Sequence, residues 1–179
     1  VTACARDEAM DVDFLPLTVE VQEKSYAAGK MPGGFFKREG RPSEQAILNC
    51  RLVDRPLRPL FPKNYHNDTQ IAITVLSTDL ELPYSSLGIL GASMALMVSD
   101  IPFNEPVGAC EIGYVDGELI VNPTYQQLEV SDLQLTVAGT SEAIMMVEAG
   151  AKFVSEELLL EALNLAQENN IKMAELQNL

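Results

Sequence analysis

The sequence has few residues that bind metals or form cross-links. Its one histidine, His66, excludes His–His metal sites and is assigned no role. Its three cysteines, Cys4, Cys50 and Cys110, are odd in number and have no Cys-x-x-Cys spacing. That pattern argues against a disulfide framework or a zinc ribbon and fits a reducing compartment, so a cytoplasmic location is expected. No apolar run approaches the ~20 residues of a membrane helix, and no charged-then-apolar leader opens the chain, so no membrane partner is expected. Cations are also scarce: 12 Lys and Arg stand against 26 Asp and Glu, a net charge of −14. An acidic excess of that size normally disfavours a nucleic-acid partner.

What is present reads as folded. A length of 179 residues, 47% of them hydrophobic and 21% charged, suits one ordinary α+β domain with a real core. The chain opens on Val1 in a strand-like run to Ala5, which predicts a piece of a longer protein. The cations are gathered rather than spread. Lys24 to Lys63 holds nine Lys and Arg against three acids, a net of +6, which leaves −20 for the remainder, and no cation lies between Lys63 and Lys152. A basic island on an acidic body is the electrostatic form of a local anion site. The same cations could instead pair with the acidic majority on folding.

Periodicity places the elements. Leu15, Leu17, Val19 and Val21 alternate as a half-buried strand. Residues 29–42 carry too much Gly and Pro for a regular element and read as a long functional loop. Ser43 caps a helix running toward Pro56. Strands are expected at Thr69–Leu76, Val107–Val115, Glu118–Val121, Leu133–Ala138 and Ile144–Glu148, with a hairpin turn at Asp116-Gly117. Leu87–Val98 reads as a helix buried on most sides. Ser155 caps a last helix whose apolar positions include Leu158, Leu159, Ala162, Leu165 and Ala166.

Two features inside the basic island point to a polyanion. Phe35 and Phe36 adjoin Lys37 and Arg38 in the loop. Such a pair can stack bases while the cations hold phosphates, or the rings can anchor the loop to the domain. On the helix after Ser43, Ala46, Cys50, Val53 and Leu57 share one face, and Arg51, Arg55 and Arg58 gather on the other. Such a stripe presents guanidinium forks to phosphates, though Asp54 can neutralise part of it. Cys50, on the apolar face, reads as a small core residue.

The runs Ala27–Glu44 and Arg51–Pro62 resemble the first ribonuclease-PH-like core domain of bacterial polynucleotide phosphorylases. The likeness continues through Gly91-Ala92-Ser93, Ile101-Pro102-Phe103-Asn104, Val121-Asn122-Pro123-Thr124 and Val137-Ala138-Gly139-Thr140. The resemblance implies a ribonuclease-PH-like (ribosomal protein S5 domain 2-like) core over 1–154 with its N-terminal strands truncated, and a C-terminal helix of that core at 155–179 leading toward an all-helical linker. It implies a homotrimeric enzyme that uses inorganic phosphate to release nucleoside diphosphates from the 3′ end of single-stranded RNA, alone or within RNA-degradation machinery. Phe35, Phe36, Lys37 and Arg38 match the family's RNA-gripping loop, with Lys37 replacing an arginine. Arg41, Arg51, Arg55 and Arg58 match basic positions of the same domain.

The resemblance also implies what this chain lacks. In the family, a serine-rich phosphate loop and an Asp…Asp-x-Lys cluster that binds Mg2+ or Mn2+ belong to a second core. Here Leu82-Pro83-Tyr84-Ser85 stands at the loop position, and Leu128, Gln134 and Thr136 stand near the metal and catalytic positions. Glu129 and Asp132 lie close by in sequence. None of the three aligned side chains is a carboxylate or an amine, so no catalytic or metal residue is expected in this chain. The alternatives are an acidic scaffold whose basic segment docks a protein, and a stand-alone ribonuclease-PH-like enzyme, which would need an Asp–Lys site.

Overall fold

A computed structural model describes residues 1–178. Two sheets organise the chain. The first has three strands in the order β1-β3-β2, formed by β1 (Thr2–Ala9), β2 (Leu17–Glu23) and β3 (Asn67–Val75). β1 pairs antiparallel with β3, whereas β2 pairs parallel with it, Leu17 opposite Thr69 and Glu23 opposite Val75. Parallel neighbours need a crossover connection. Here the crossover is the basic island itself, comprising the loop and helix α1 (Glu44–Leu57).

The second sheet is antiparallel, in the order β5-β4-β6-β7, from β4 (Gly108–Val115), β5 (Glu118–Val121), β6 (Leu133–Gly139) and β7 (Ile144–Ala151). The β4–β5 turn forms at the expected Asp116-Gly117, both with positive φ (51° and 87°), as a type I′ hairpin requires. Helix α4 (Glu156–Gln177), capped by the Ser155 hydroxyl, covers one face of this sheet. Ala162 and Ala166 are fully buried there against Cys110, Ile112, Leu133, Leu135 and Val137. Helix α2 (Ser85–Met97) lies against β4 and α1, and its buried residues Ile89, Ala92 and Leu96 join Val53, Leu57 and Ile71 in the main core.

Every expected strand and helix forms, with ends shifted by a few residues. Two readings change. The α2 segment is not buried on most sides: Leu87, Met94 and Val98 face solvent, because only the Ser86–Ile89–Ala92–Ser93–Leu96 side meets the core. A short helix α3 (Tyr125–Val130) was not anticipated. Thr124 and Gln127 form a reciprocal capping box at its start. The three cysteines are free: Cys110 is buried, Cys50 half-buried and Cys4 exposed. Among the described residues, no helix is long and apolar enough to cross a membrane.

Candidate nucleic-acid interface

The loop at 29–42 carries no regular element beyond a turn at 34–37, where Gly34 (φ 76°) and Lys37 (φ 50°) take left-handed backbone. This turn throws both rings outward. Phe35 is 93% exposed and Phe36 76%, in edge-to-face contact at 5.3 Å. Arg38 lies over the Phe36 ring at 5.7 Å. The rings therefore do not anchor the loop. That task falls to Glu39, whose carboxylate accepts from the Ser25 amide (2.8 Å) and hydroxyl (3.0 Å). At the loop's exit, Ser43 donates to Glu23 at 2.5 Å while its oxygen caps α1 by accepting from the Ala46 amide.

From that cap, α1 runs back along β2, and its other end is fixed by Arg58. The Arg58 guanidinium holds Asp54 through Nε (3.0 Å) and Nη2 (2.7 Å). It also donates to the carbonyls of Leu15 (2.8 Å) and Leu17 (3.1 Å). Arg58 was expected to reach outward with Arg51 and Arg55. Its guanidinium is instead held as a strut between the end of α1 and the start of β2, although its side chain stays 40% exposed.

Arg51 and Arg55, one turn apart and exposed, line a groove of about 550 Å3 between α1 and β2 together with the Asp54–Arg58 pair, with Leu17, Val19 and Cys50 along it. Arg55 meets Glu148 at 3.6 Å, with both side chains more than half exposed, a pairing that contributes little and exchanges readily for another anion. Among the described residues, Lys37, Arg38, Arg41 and Arg51 make no ion pair. Arg41 sits beside the C-terminal end of β2. Asp54 neutralises Arg58 alone, so the basic island keeps most of its charge available.

The positions aligned with catalysis also come together. Tyr84, Ser85, Leu128, Gln134 and Thr136 line two adjoining cavities on the sheet face opposite α4. Between them stands a residue the sequence reading missed. Glu111 on β4 is 3% exposed, accepts from the Ser85 hydroxyl through Oε1, and has no partner for Oε2 among the described residues. Burial raises its pKa above the ordinary carboxylate value, a rise the Ser85 hydrogen bond partly offsets. Burial, with the Glu23 carboxylate that its hydroxyl meets, likewise raises the Tyr84 phenol. A hard divalent cation is poorly served here. Among the described residues no three His, Cys, Asp or Glu side chains converge to hold one.

Two family models together match nearly the whole chain. Residues 1–102 match the model for the 3′ exoribonuclease family, domain 1, and residues 105–169 match that for domain 2 of the same family. The chain belongs to the 3′ exoribonuclease family. Its relatives include the polyribonucleotide nucleotidyltransferase of Caldicellulosiruptor bescii, 52% identical over 98% of this chain and 25% of the relative. Those of Heliobacterium modesticaldum and Moorella thermoacetica are each 57% identical, over 85% and 91% of this chain and 21% and 22% of their own length. The chain thus spans about a quarter of the length of the curated relatives it matches. The junction between the two family matches falls between α2 and β4, where one sheet gives way to the other.

Proposed function

We propose that this chain is the RNA-gripping core of a phosphate-dependent 3′-to-5′ exoribonuclease. One observation carries the reading: two neighbouring phenyl rings stand almost fully in solvent beside Lys37 and Arg38, on a protein of net charge −14. Exposed rings cost solvation and contribute nothing to this core, whereas bases stacked on them gain ~1–3 kcal/mol each. Phe35 and Phe36 stack successive bases. Lys37, Arg38 and Arg41 neutralise the phosphates between them, and Arg51 and Arg55 extend that track along α1. Arg58 keeps the helix in place for them.

In the reaction we assign to the whole protein, a phosphate oxygen attacks the 3′-terminal phosphodiester. The bond to the preceding 3′ oxygen breaks, a nucleoside diphosphate leaves, and the shortened RNA keeps its 3′ hydroxyl. Inorganic phosphate and Mg2+ or Mn2+ act at residues outside this chain, since Leu128, Gln134 and Thr136 offer neither a hard ligand set nor a general acid. In this reading residues 1–154 form the core together with its C-terminal helix α4, which leads on toward a further helical segment. Homotrimeric assembly, work within RNA-degradation machinery and a cytoplasmic location complete the reading. The name carried by the relatives and the free cysteines support it.

The test is binding of a short poly(A) strand across a salt series. Log affinity falls with log salt at a slope of about −0.7 per phosphate contacted. Replacing Phe35 and Phe36 together by Ala weakens binding at least about tenfold with the slope unchanged, because stacking is not ionic. A double variant that binds as well as the parent removes the stacking role. Phosphate-dependent release of diphosphates by this chain alone removes the assignment of chemistry to other residues.

A further inference from the structure

None of the residues assigned to RNA lines the two cavities beside Glu111. They measure about 330 and 380 Å3 and share Gln45, Asn49, Ser85, Glu111 and Gln134. That volume suits a small organic ligand. No Lys, Arg or His lines either one, whereas Glu129 and Glu148 stand at their rims. A phosphate or other anion would face Glu111 and Glu129, with Glu148 paired to Arg55 at the rim, and a divalent metal would lack a converging set among the described residues.

The ligand preference is set by Glu111. One carboxylate oxygen is taken by Ser85 and the other, 97% enclosed with its residue, has no donor. An unmatched buried carboxylate oxygen costs more than an ordinary hydrogen bond contributes, so a ligand that brings both an N–H and a positive charge gains from both. Around it stand the neutral amides of Gln45, Asn49 and Gln134. They can offer acceptors to the remaining N–H groups of an ammonium once the long 3.4 Å bond from Gln45 to the Asn49 oxygen is given up. Tyr84 and Tyr125 border the second cavity and bring aromatic rings, to which cations are attracted, into its lining. We infer that the chamber at Glu111 is a binding site for a primary organic ammonium ion.

The experiment is a calorimetric titration of the protein with butane-1,4-diammonium, repeated with tetramethylammonium and with Mg2+. The diammonium binds saturably, one per chain. Glu111→Gln preserves shape but removes the charge and weakens binding at least about tenfold. Tetramethylammonium, which has charge but no N–H, binds at least about tenfold more weakly than the diammonium. Glu129→Gln, at the exposed rim, changes affinity by no more than about threefold. The chain has no Trp and five Tyr, so a ligand-dependent change in tyrosine emission gives a second readout, and Tyr125→Phe reduces that change while binding persists. Thermal denaturation of Glu111→Gln verifies that the variant is folded. Equal binding by Glu111→Gln, equal loss in Glu129→Gln, equal binding of tetramethylammonium, tighter binding of Mg2+, or no saturable heat each overturns the site.

Discussion

Arg58, the residue that caps α1, grips Asp54 one turn back through two hydrogen bonds of 3.0 and 2.7 Å, and in the same posture reaches the carbonyls of Leu15 and Leu17. Only the first of these contacts is between sequence neighbours. The other two join α1 to a strand more than 40 residues earlier. Arg58→Ala is therefore expected to lower stability by about 1–3 kcal/mol, while the salt slope of RNA binding stays as it was. Arg51→Ala is expected to do the reverse, leaving stability within about 0.5 kcal/mol and reducing the slope by about 0.7. Denaturant titration and a salt series measured on both variants separate the two roles.

Glu39 is an acid in a basic loop, and charge alone predicts that removing it strengthens RNA binding. Its hydrogen bonds to Ser25 predict the opposite, because they hold the loop that presents the rings. Screening shrinks the first effect as salt rises but leaves the ordering cost. Glu39→Ala is expected to bind poly(A) about threefold more weakly at 0.3 M salt. Tighter binding at that salt would show that the tether contributes nothing.

Glu111 makes a pH prediction whose sign follows from its burial. An unfolded Glu titrates near 4.3, and in the folded chain the value is raised. The native state then holds the proton longer than the unfolded state does. The stability this contributes is complete below the unfolded value and is lost as pH rises through the folded one. Glu111→Gln does not titrate, so the parent loses stability relative to the variant from about pH 4 upward. Denaturation of both proteins over pH 4–8 checks the divergence. A constant difference would mean that Glu111 titrates as an ordinary carboxyl.

Gly108 begins β4 where α4 crosses it, and a methyl group there would stand 2.4 Å from the Asn170 carbonyl oxygen and 2.7 Å from its Cα. Backbone cannot swing aside as a side chain can. Gly108→Ala is expected to cost at least about 1–3 kcal/mol. Gly150→Ala on β7, with nothing within 4 Å, is expected to be neutral within about 0.5 kcal/mol. Thermal melts of the pair measure the contrast.

Much of this was legible in the residues, and the parts that were not share a cause. Alternation at Leu15–Val21 and the Asp116-Gly117 turn are local signals, and they appear where expected. The Ser43 cap and the Phe35–Arg38 loop likewise declare themselves in consecutive residues. α3 was also readable, since Thr124 and Gln127 have capping-box spacing, but its six residues are too few for helical periodicity to register. The hold of Arg58 on Leu15 and Leu17 was illegible because those carbonyls are remote in sequence. Glu111 escaped notice because β4 is covered on both faces, so its run lacks the polar alternation that marks an inward-facing acid as unusual. The exposure of Leu87 and Met94 on α2 was illegible for the converse reason, an apolar helix with no polar side to orient it.

The connection between β2 and β3 has one more consequence. Those strands are registered directly against each other from Leu17–Thr69 to Glu23–Val75, and nine of the 12 Lys and Arg lie in the stretch that leaves one and returns to the other. Polymer preference and folding are thus written in separable pieces of chain. A segment of different length or chemistry spliced between Gly29 and Pro42 would leave the strand register untouched, which makes this excursion a natural graft point for retuning which polymer is held.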